Sequence, residues 1–483
     1  YADEFNMRDN LCENIEFVFG PPGTGKTTYL AQNILLPLMN SGEACKVLVL
    51  APTNKAADVL ACRIMQAAGE GSGYQDWLVR FGATGDEQIE QSSVFRDKTF
   101  DIRTLSKQVT VTTIARFPYD FFMLPGERLY LREYNWDYIV IDEASMIPLA
   151  NIIYPLYLKK TKHFIIAGDP FQIEPVISLD FWKDENIYTL VELNSFTASK
   201  TVPHNYKIIK LMTQYRSLPS IGEVFSKLTY GGILKHYRNE NQKRPLKINN
   251  WLNIKSLNII KFPVSEYESV YRAKRINNSS SYQAYSAIFT FEFVSAMSRQ
   301  ISKNNPNENF SIGIIAPYRV QADLIEKLFA TVQISPNIQI SASTIHGFQG
   351  DECDIIFAVF NPPPYIRGSP EMFLNHQNII NVSISRAQDY LFLVIPDDET
   401  KNIFNLQLIK QVEKLFHNVG YSEFNSAKIE KLIFGRENHI EENSFSTGHQ
   451  NVNIYTHPER VYEIRSDDNA VDIQIHKDLN FKY

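Results

Sequence analysis

Lys26 is the first residue that asks for a chemical explanation. In GPPGTGKTT the run Gly20, Pro21, Pro22, Gly23, Thr24, Gly25, Lys26, Thr27 and Thr28 has the glycine, lysine and hydroxyl spacing of a loop that wraps phosphates. Glycines let backbone N–H groups turn inward, Lys26 places a cation toward the β- and γ-phosphates, and Thr27 offers a hydroxyl to Mg²⁺. A glycine-rich turn without a ligand is the plain alternative, and the apolar run before the loop with the amphipathic stretch after it argues against that. A second acidic partner stands in YIVIDEAS. There Asp142 is suited to orient Mg²⁺ and Glu143 to polarise an attacking water as general base. An acidic pair capping the next helix would use the same residue types. The upstream loop tips the reading toward ATP hydrolysis.

Such residues need rigid elements behind them. IEFVF before the loop, KVLVL (46–50), YIVID (138–142) and HFIIAGD (163–169) are short Val- and Ile-rich runs. They suit central strands of a parallel sheet covered on both faces. SIGIIAP (311–317), NIQIS (337–341), DIIFAVF (354–360) and YLFLVI (390–395) form a second set. The expectation is therefore an α/β chain of two similar domains, residues 1–202 and 203–417, joined within TASKTVPHNYK. Polar stretches at about 62–108 and 235–285 read as insertions, and 418–483 as a small strand-rich appendage.

Bulk composition sets outer limits. The 483 residues include 44% apolar and 21% charged residues with a net charge of −6, a globular balance. No apolar run is long enough to span a bilayer, so no membrane partner is expected. The acidic total does not exclude nucleic acid, because a single strand is gripped by a local basic groove. Four scattered cysteines without a C-x-x-C pair fit reduced thiols in a cytoplasmic protein. The absence of an initial methionine or a leader reads as a processed chain or a fragment, of which a fragment is favoured.

Taken in order, GPPGTGKTT, APTNKAAD, VTTIARF, IDEAS, GDPFQIEPV, LMTQYRS, IGIIAPYRVQ, STIHGFQGDECDII and NVSISRAQDYLFLV resemble the motif set of superfamily 1 helicases, in the branch of the nonsense-mediated-decay helicase. The resemblance runs from about Ile15 to Ile395. It implies two RecA-like P-loop NTPase domains with parallel sheets and ATP held in the cleft between them. Gln172 would sense the γ-phosphate, and Arg216 and Arg386 would act as arginine fingers. Tyr215 would stack on adenine, with Gly350 and Glu352 also assigned to the nucleotide site.

The same resemblance places a single strand of DNA or RNA against Pro52, Thr53, Asn54, Thr112 and Thr113 in the first domain. In the second it implies contact with Pro317, Tyr318, Arg319, Thr344 and His346. Hydroxyls, amides and one arginine suit phosphate and sugar recognition, which carries little sequence information. Two departures from the family pattern stand out. The upstream glutamine that reads adenine has no equivalent in YADEFNMRDNLCEN, and Gln388 occupies the position of a second arginine. The expected activity is an ATP-dependent helicase or translocase, by resemblance 5′ to 3′. The alternative is an ATP-gated clamp that does not separate strands. A protein partner is expected through the appendage or a missing upstream region.

Overall fold

The computed structural model describes residues 15–158, 161, 163–175, 185–193, 206–248, 251–276, 280–348, 352–370, 372–446, 451–457, 460–467 and 470–476. The chain divides into two compact units, Tyr1–Tyr215 and Arg216–Tyr483.

Among the described residues the first unit holds ten strands besides the two-residue Thr213–Gln214. They are β1 (Ile15–Phe19), β2 (Lys46–Ala51), β3 (Leu78–Phe81), β4 (Phe95–Arg96), β5 (Gln108–Thr113), β6 (Phe121–Leu124), β7 (Glu127–Tyr130), β8 (Tyr138–Ile141), β9 (His163–Gly168) and β10 (Lys207–Lys210). Eight of them form one sheet in the order β10-β1-β9-β8-β2-β5-β3-β4. Neighbouring strands in it run parallel. The central strands are buried on both faces, as Val47 through Ala51 at 0% exposure illustrate. This is why they read as continuous apolar runs. β6 and β7 make a separate antiparallel hairpin.

The second unit carries a six-stranded parallel sheet. Its strands are β11 (Leu257–Phe262), β12 (Phe310–Ile315), β13 (Ile338–Ser343), β14 (Cys353–Val359), β15 (Ala387–Pro396) and β16 (Ser422–Asn425), in the order β13-β12-β14-β15-β11-β16. A four-stranded antiparallel sheet follows in sequence: β17 (Ser444–Ser446), β18 (Asn451–His457), β19 (Arg460–Ser466) and β20 (Val471–His476). The 21-residue helix Ala284–Asn304 is buried along most of its length. Its Phe291 and Phe293 share one apolar cluster with β-strand residues Ile312, Phe357 and Phe392 and with Ile454 and Tyr462 of the antiparallel sheet.

The fold class is the expected α/β with large parallel sheets, while the domain limits move. KIIK at 207–210 adds an edge strand beside β1, with Glu16 opposite Lys207, so the first unit extends past residue 202 to Tyr215. The stretch 62–108 is not an excursion from the sheet. It completes the helix Asn54–Ala68 and supplies β3 and β4. Nor is 235–285 a simple insertion, since β11 lies between β15 and β16 inside the second sheet. The described part of 418–483 is likewise integral: β16 pairs with β11, and Val452, Ile454, Tyr462 and Ile464 enter the second unit's core.

Candidate nucleotide site and nucleic-acid surface

In the first unit the candidate chemistry gathers at the carboxyl ends of three neighbouring strands, β1, β9 and β8. Ligands of open parallel sheets bind at that edge because loops and helix N-termini converge there. The Gly20 amide donates to the Gly168 carbonyl at 3.1 Å, fixing the loop's start against the end of β9. Gly23 and Gly25 sit at φ of 72° and 76°, the left-handed region that a side chain disfavours. At Gly20 the demand is spatial, since a Cβ there would lie 2.9 Å from the Lys26 Cβ. The Thr24 hydroxyl donates back to the Pro21 carbonyl at 2.8 Å. Pro21, Pro22 and Thr24 are buried, Gly23, Thr27 and Thr28 half-buried, and Gly25 exposed. The turn thus forms the concave backbone nest that suits an anion.

Lys26 opens the following helix and is 7% exposed. Its Nζ lies 2.7 Å from Glu143 Oε2. Burial works against the charged ammonium, but Glu143 and Asp142 outweigh it and hold Lys26 above its ordinary range. Asp142, 2% exposed, is pushed up to about 6 by burial, although Lys26 pulls the other way. Glu143 adopts φ 50°, a left-handed backbone uncommon for glutamate, and its amide donates to Asp142 Oδ1 at 2.9 Å. Such strain persists only where the surroundings over-determine it. Here it turns Glu143 from the strand end toward Lys26. Beside them, Gln172 Nε2 donates to the buried Asp169 Oδ2 at 3.1 Å. The Tyr215 amide donates to the Gly23 carbonyl at 2.8 Å, and its ring is 52% exposed.

The second unit holds a different cluster. Arg216 Nε lies 2.5 Å from Glu352 Oε2, and its Nη1 donates to the Ser385 carbonyl at 3.0 Å. Gln388 Nε2 donates to the other oxygen of the same carboxylate at 2.9 Å. Glu352 therefore joins the arginine to the residue that departs from the family pattern. Arg386 is 4% exposed, at the turn into β15. Arg238 braces this corner, donating to the carbonyls of Arg216 and Gln388 at 2.7 and 3.2 Å and pairing with buried Asp389. Gly350 lies outside the described residues.

The residues expected on nucleic acid are brought together in pairs of adjacent strand ends. Ala51 is opposite Thr113, so Pro52–Asn54 and Thr113 leave neighbouring strands side by side. Ile315 is opposite Ser343, which does the same for Pro317–Arg319 and Thr344–His346. Thr53 and Asn54 are exposed and Pro52 half-buried. The Thr53 hydroxyl already caps the next helix, accepting from the Ala56 amide at 3.1 Å. Arg319 and His346 are exposed and Thr344 half-buried. Arg319 faces Asp323 at 3.6 Å.

Four of the residues expected on the strand are buried. Thr112 at 1% and Thr113 at 6% exposure point into the first unit and offer a strand almost no hydroxyl surface. Tyr318 is 7% exposed, packed at 5.3 Å against Phe373, and burial pushes its phenol up to about 12. Pro317 is buried too.

Sequence reasoning missed Arg80. This side chain is fully buried, pairs with Asp58 at 2.8 Å, and donates to the Ala83 carbonyl at 2.7 Å. Its Nη2 also reaches the Asn54 carbonyl and amide oxygens at 3.5 Å. It thereby supports the loop at Asn54 from below. The available signal was a lone arginine within the otherwise apolar LVRF.

Among the described residues no cluster of three His, Cys, Asp or Glu side chains forms a metal site, and no helix is long and apolar enough to cross a membrane. Cys45 and Cys353 are buried and Cys62 is half-buried, and none of the three is in a disulfide. Cys12 falls outside the described residues.

Two family models, each described as an AAA domain, match residues 6–178 and 193–398. The chain is 25% identical over 421 residues to "Putative helicase mov-10-B.1" of Danio rerio, covering 78% of this chain and 39% of that protein. It is 25% identical over 413 residues to "RNA helicase Mov10l1" of Mus musculus, covering 79% and 32%. With "DNA replication ATP-dependent helicase/nuclease dna2" of Schizosaccharomyces pombe it shares 24% over 411 residues, covering 78% and 26%. The chain thus spans well under half of these relatives.

Proposed function

We propose that the chain, whose two AAA-domain matches and helicase relatives support a superfamily 1 helicase in the branch of the nonsense-mediated-decay helicase, is an ATP-dependent motor on single-stranded nucleic acid. The observation that carries this reading is the buried Lys26–Glu143 pair beside Asp142, set at the rim of the Gly20–Thr28 loop. The loop and its glycine cradle fit a nucleotide triphosphate, and Thr27 and Asp142 are the residues to hold its Mg²⁺. When bound, the metal supplies charge neutralisation across the β- and γ-phosphates.

The chain's own residues account for the remaining steps. Lys26 exchanges its carboxylate partner for phosphate oxygens. That releases Glu143, which accepts a proton from the attacking water. Gln172, steadied by Asp169, reports on the terminal phosphate. Arg216 and Arg386 stabilise the charge that develops on the transferring group, a contribution typically worth about 10³ to 10⁵ in rate. Pro52–Asn54 and Arg319, Thr344 and His346 supply contacts to the strand. Thr112 and Tyr318 act from behind as packing. The family resemblance supports 5′ to 3′ travel, and scattered cysteines without a C-x-x-C pair support a cytoplasmic setting.

The test is steady-state ATP turnover with and without single-stranded DNA and RNA of one sequence, followed by unwinding of a tailed duplex. Stimulation by at least one strand type, with unwinding, is the expected outcome. Stimulation without unwinding would favour an ATP-gated clamp, and turnover indifferent to both strands would overturn the motor.

A further inference from the structure

The hairpin β6–β7 has no part in the chemistry above, yet its two faces differ sharply. Side chains alternate along a strand, and here Phe122 and Leu124 are buried, Phe122 at 4.4 Å from the Phe81 ring. The opposite face presents Phe121 across from Tyr130, and Met123, 53% exposed, across from Arg128. Two cations share the Phe121 ring. Lys98 Nζ and Arg128 Cζ each lie 4.9 Å from its centroid. The Tyr130 ring is 5.3 Å from that of Phe121, and Arg132 lies 4.7 Å over Tyr130.

These cations are held by aromatic faces, a geometry stabilised by the ring quadrupole. Among the described residues the nearby carboxylates are engaged elsewhere. Glu127 pairs with Arg103 at 2.8 Å and Asp120 with Arg116 at 2.7 Å, away from Lys98 and Arg128, while Glu133 faces Arg132 at 3.7 Å. Asp97 accepts from the Thr99 amide and hydroxyl at 2.8 and 2.6 Å. The platform is firmly mounted, because the Met123 amide donates to the Lys98 carbonyl at 2.6 Å and the Leu131 amide to the Asp120 carbonyl at 3.0 Å. It is also continuous with the candidate strand surface. The chain leaves β5 at Thr113, Ile114 donates to the Ala51 carbonyl at 2.9 Å, and the hairpin begins at Phe121.

We propose that the outer face of this hairpin is a further contact for single-stranded nucleic acid, with Lys98 and Arg128 swinging from the Phe121 ring to phosphates and a base stacking on the ring face they leave. The inference rests on the nucleic-acid reading above and extends it to residues outside the motif set. Rings flanked by cations suit a polymer that alternates flat bases with phosphates. An acidic peptide would use the cations and leave the rings idle.

The experiment is equilibrium binding of a labelled single strand to the nucleotide-free full chain across a salt series, with melting temperature as the folding control. The double variant Lys98→Ala, Arg128→Ala should bind more weakly. Its slope of log affinity against log salt should be shallower by about 1.4, since each phosphate contact on a single strand contributes about 0.7. Phe121→Leu should weaken binding roughly tenfold with the slope unchanged, and Phe121→Trp should restore it. A double variant that melts like the wild type and keeps both affinity and slope would overturn the proposal. So would loss of polyglutamate binding with oligonucleotide binding intact, which would assign the face to an acidic protein. A wild type that binds no single strand would instead remove the motor reading itself.

Discussion

Asp142 in the first unit and Glu430 in the second are both buried carboxyls pushed up to about 6, and in both the leading cause is burial. Their company differs. Asp142 stands at the end of β8 beside Glu143 and a lysine whose own charge is sustained by the pair. Glu430, in the helix Ser426–Phe434, accepts from the Tyr285 hydroxyl and from the Ile440 amide at 2.8 Å. Tyr285 also bonds Ser426 at 2.7 Å. Hydroxyls and an amide surround it where Asp142 has a cation. A buried acid kept with an ammonium at a strand end suits the proposed exchange of partners with a ligand. One kept with hydroxyls inside a helix packing is arranged to stay as it is.

The comparison breaks most visibly at Lys26. Lys26→Ala leaves Glu143 and Asp142 adjacent with no cation between them and the loop without its phosphate-facing charge. ATP turnover, followed by phosphate release, should fall to background. Unchanged turnover would show that the pair in the first unit is structural after all. Arg386→Ala comes next, since the proposed mechanism gives this second-unit residue a part in the chemistry while Glu430 serves packing. ATP binding should survive while hydrolysis drops by about 10³ or more. Because Arg386 is 4% exposed, Arg386→Lys serves as a control that keeps charge with less disruption. Near-wild-type hydrolysis in the alanine variant would show that the finger is misassigned.

What could be read in advance follows from the kind of signal involved. Phosphate-loop spacing, the acidic pair after YIVI and the Val- and Ile-rich strands are local patterns, and the structure places each at a strand or strand end. β3 escaped because LVRF carries Arg80, whose burial depends on Asp58, 22 residues away. β11 escaped because LNIIKF lies within a polar stretch and becomes central only when β15 and β16 flank it. Glu352 and Gln388 could be named separately, but their contact exists because β14 and β15 pair with Cys353 opposite Ala387. Residue type was legible at Thr112 and Tyr318, whereas exposure depends on which neighbours the fold supplies.

The smallest expected effect bears on the packing half of the comparison. Glu430 has a folded value near 6 against an ordinary 4.5, so the shift is upward for an acid. Between those two values the folded chain retains a proton that the unfolded chain has released. Stability contributed by this group is therefore fully present below about pH 4.5, falls as pH rises toward 6, and stays lower above it. Glu430→Gln is neutral throughout. Its amide can donate to the Tyr285 oxygen, leaving the Tyr285 proton for Ser426, while its carbonyl accepts from the Ile440 amide. The variant should match the wild type near pH 4.5 and exceed it at pH 7 by about 2 kcal/mol, with ATP turnover unchanged. Urea denaturation read by hydrogen exchange of the 426–434 amides follows this locally. Parallel stability profiles for the two proteins across that range would mean that Glu430 is not held protonated by its surroundings. The contrast with Asp142 would then rest on position alone.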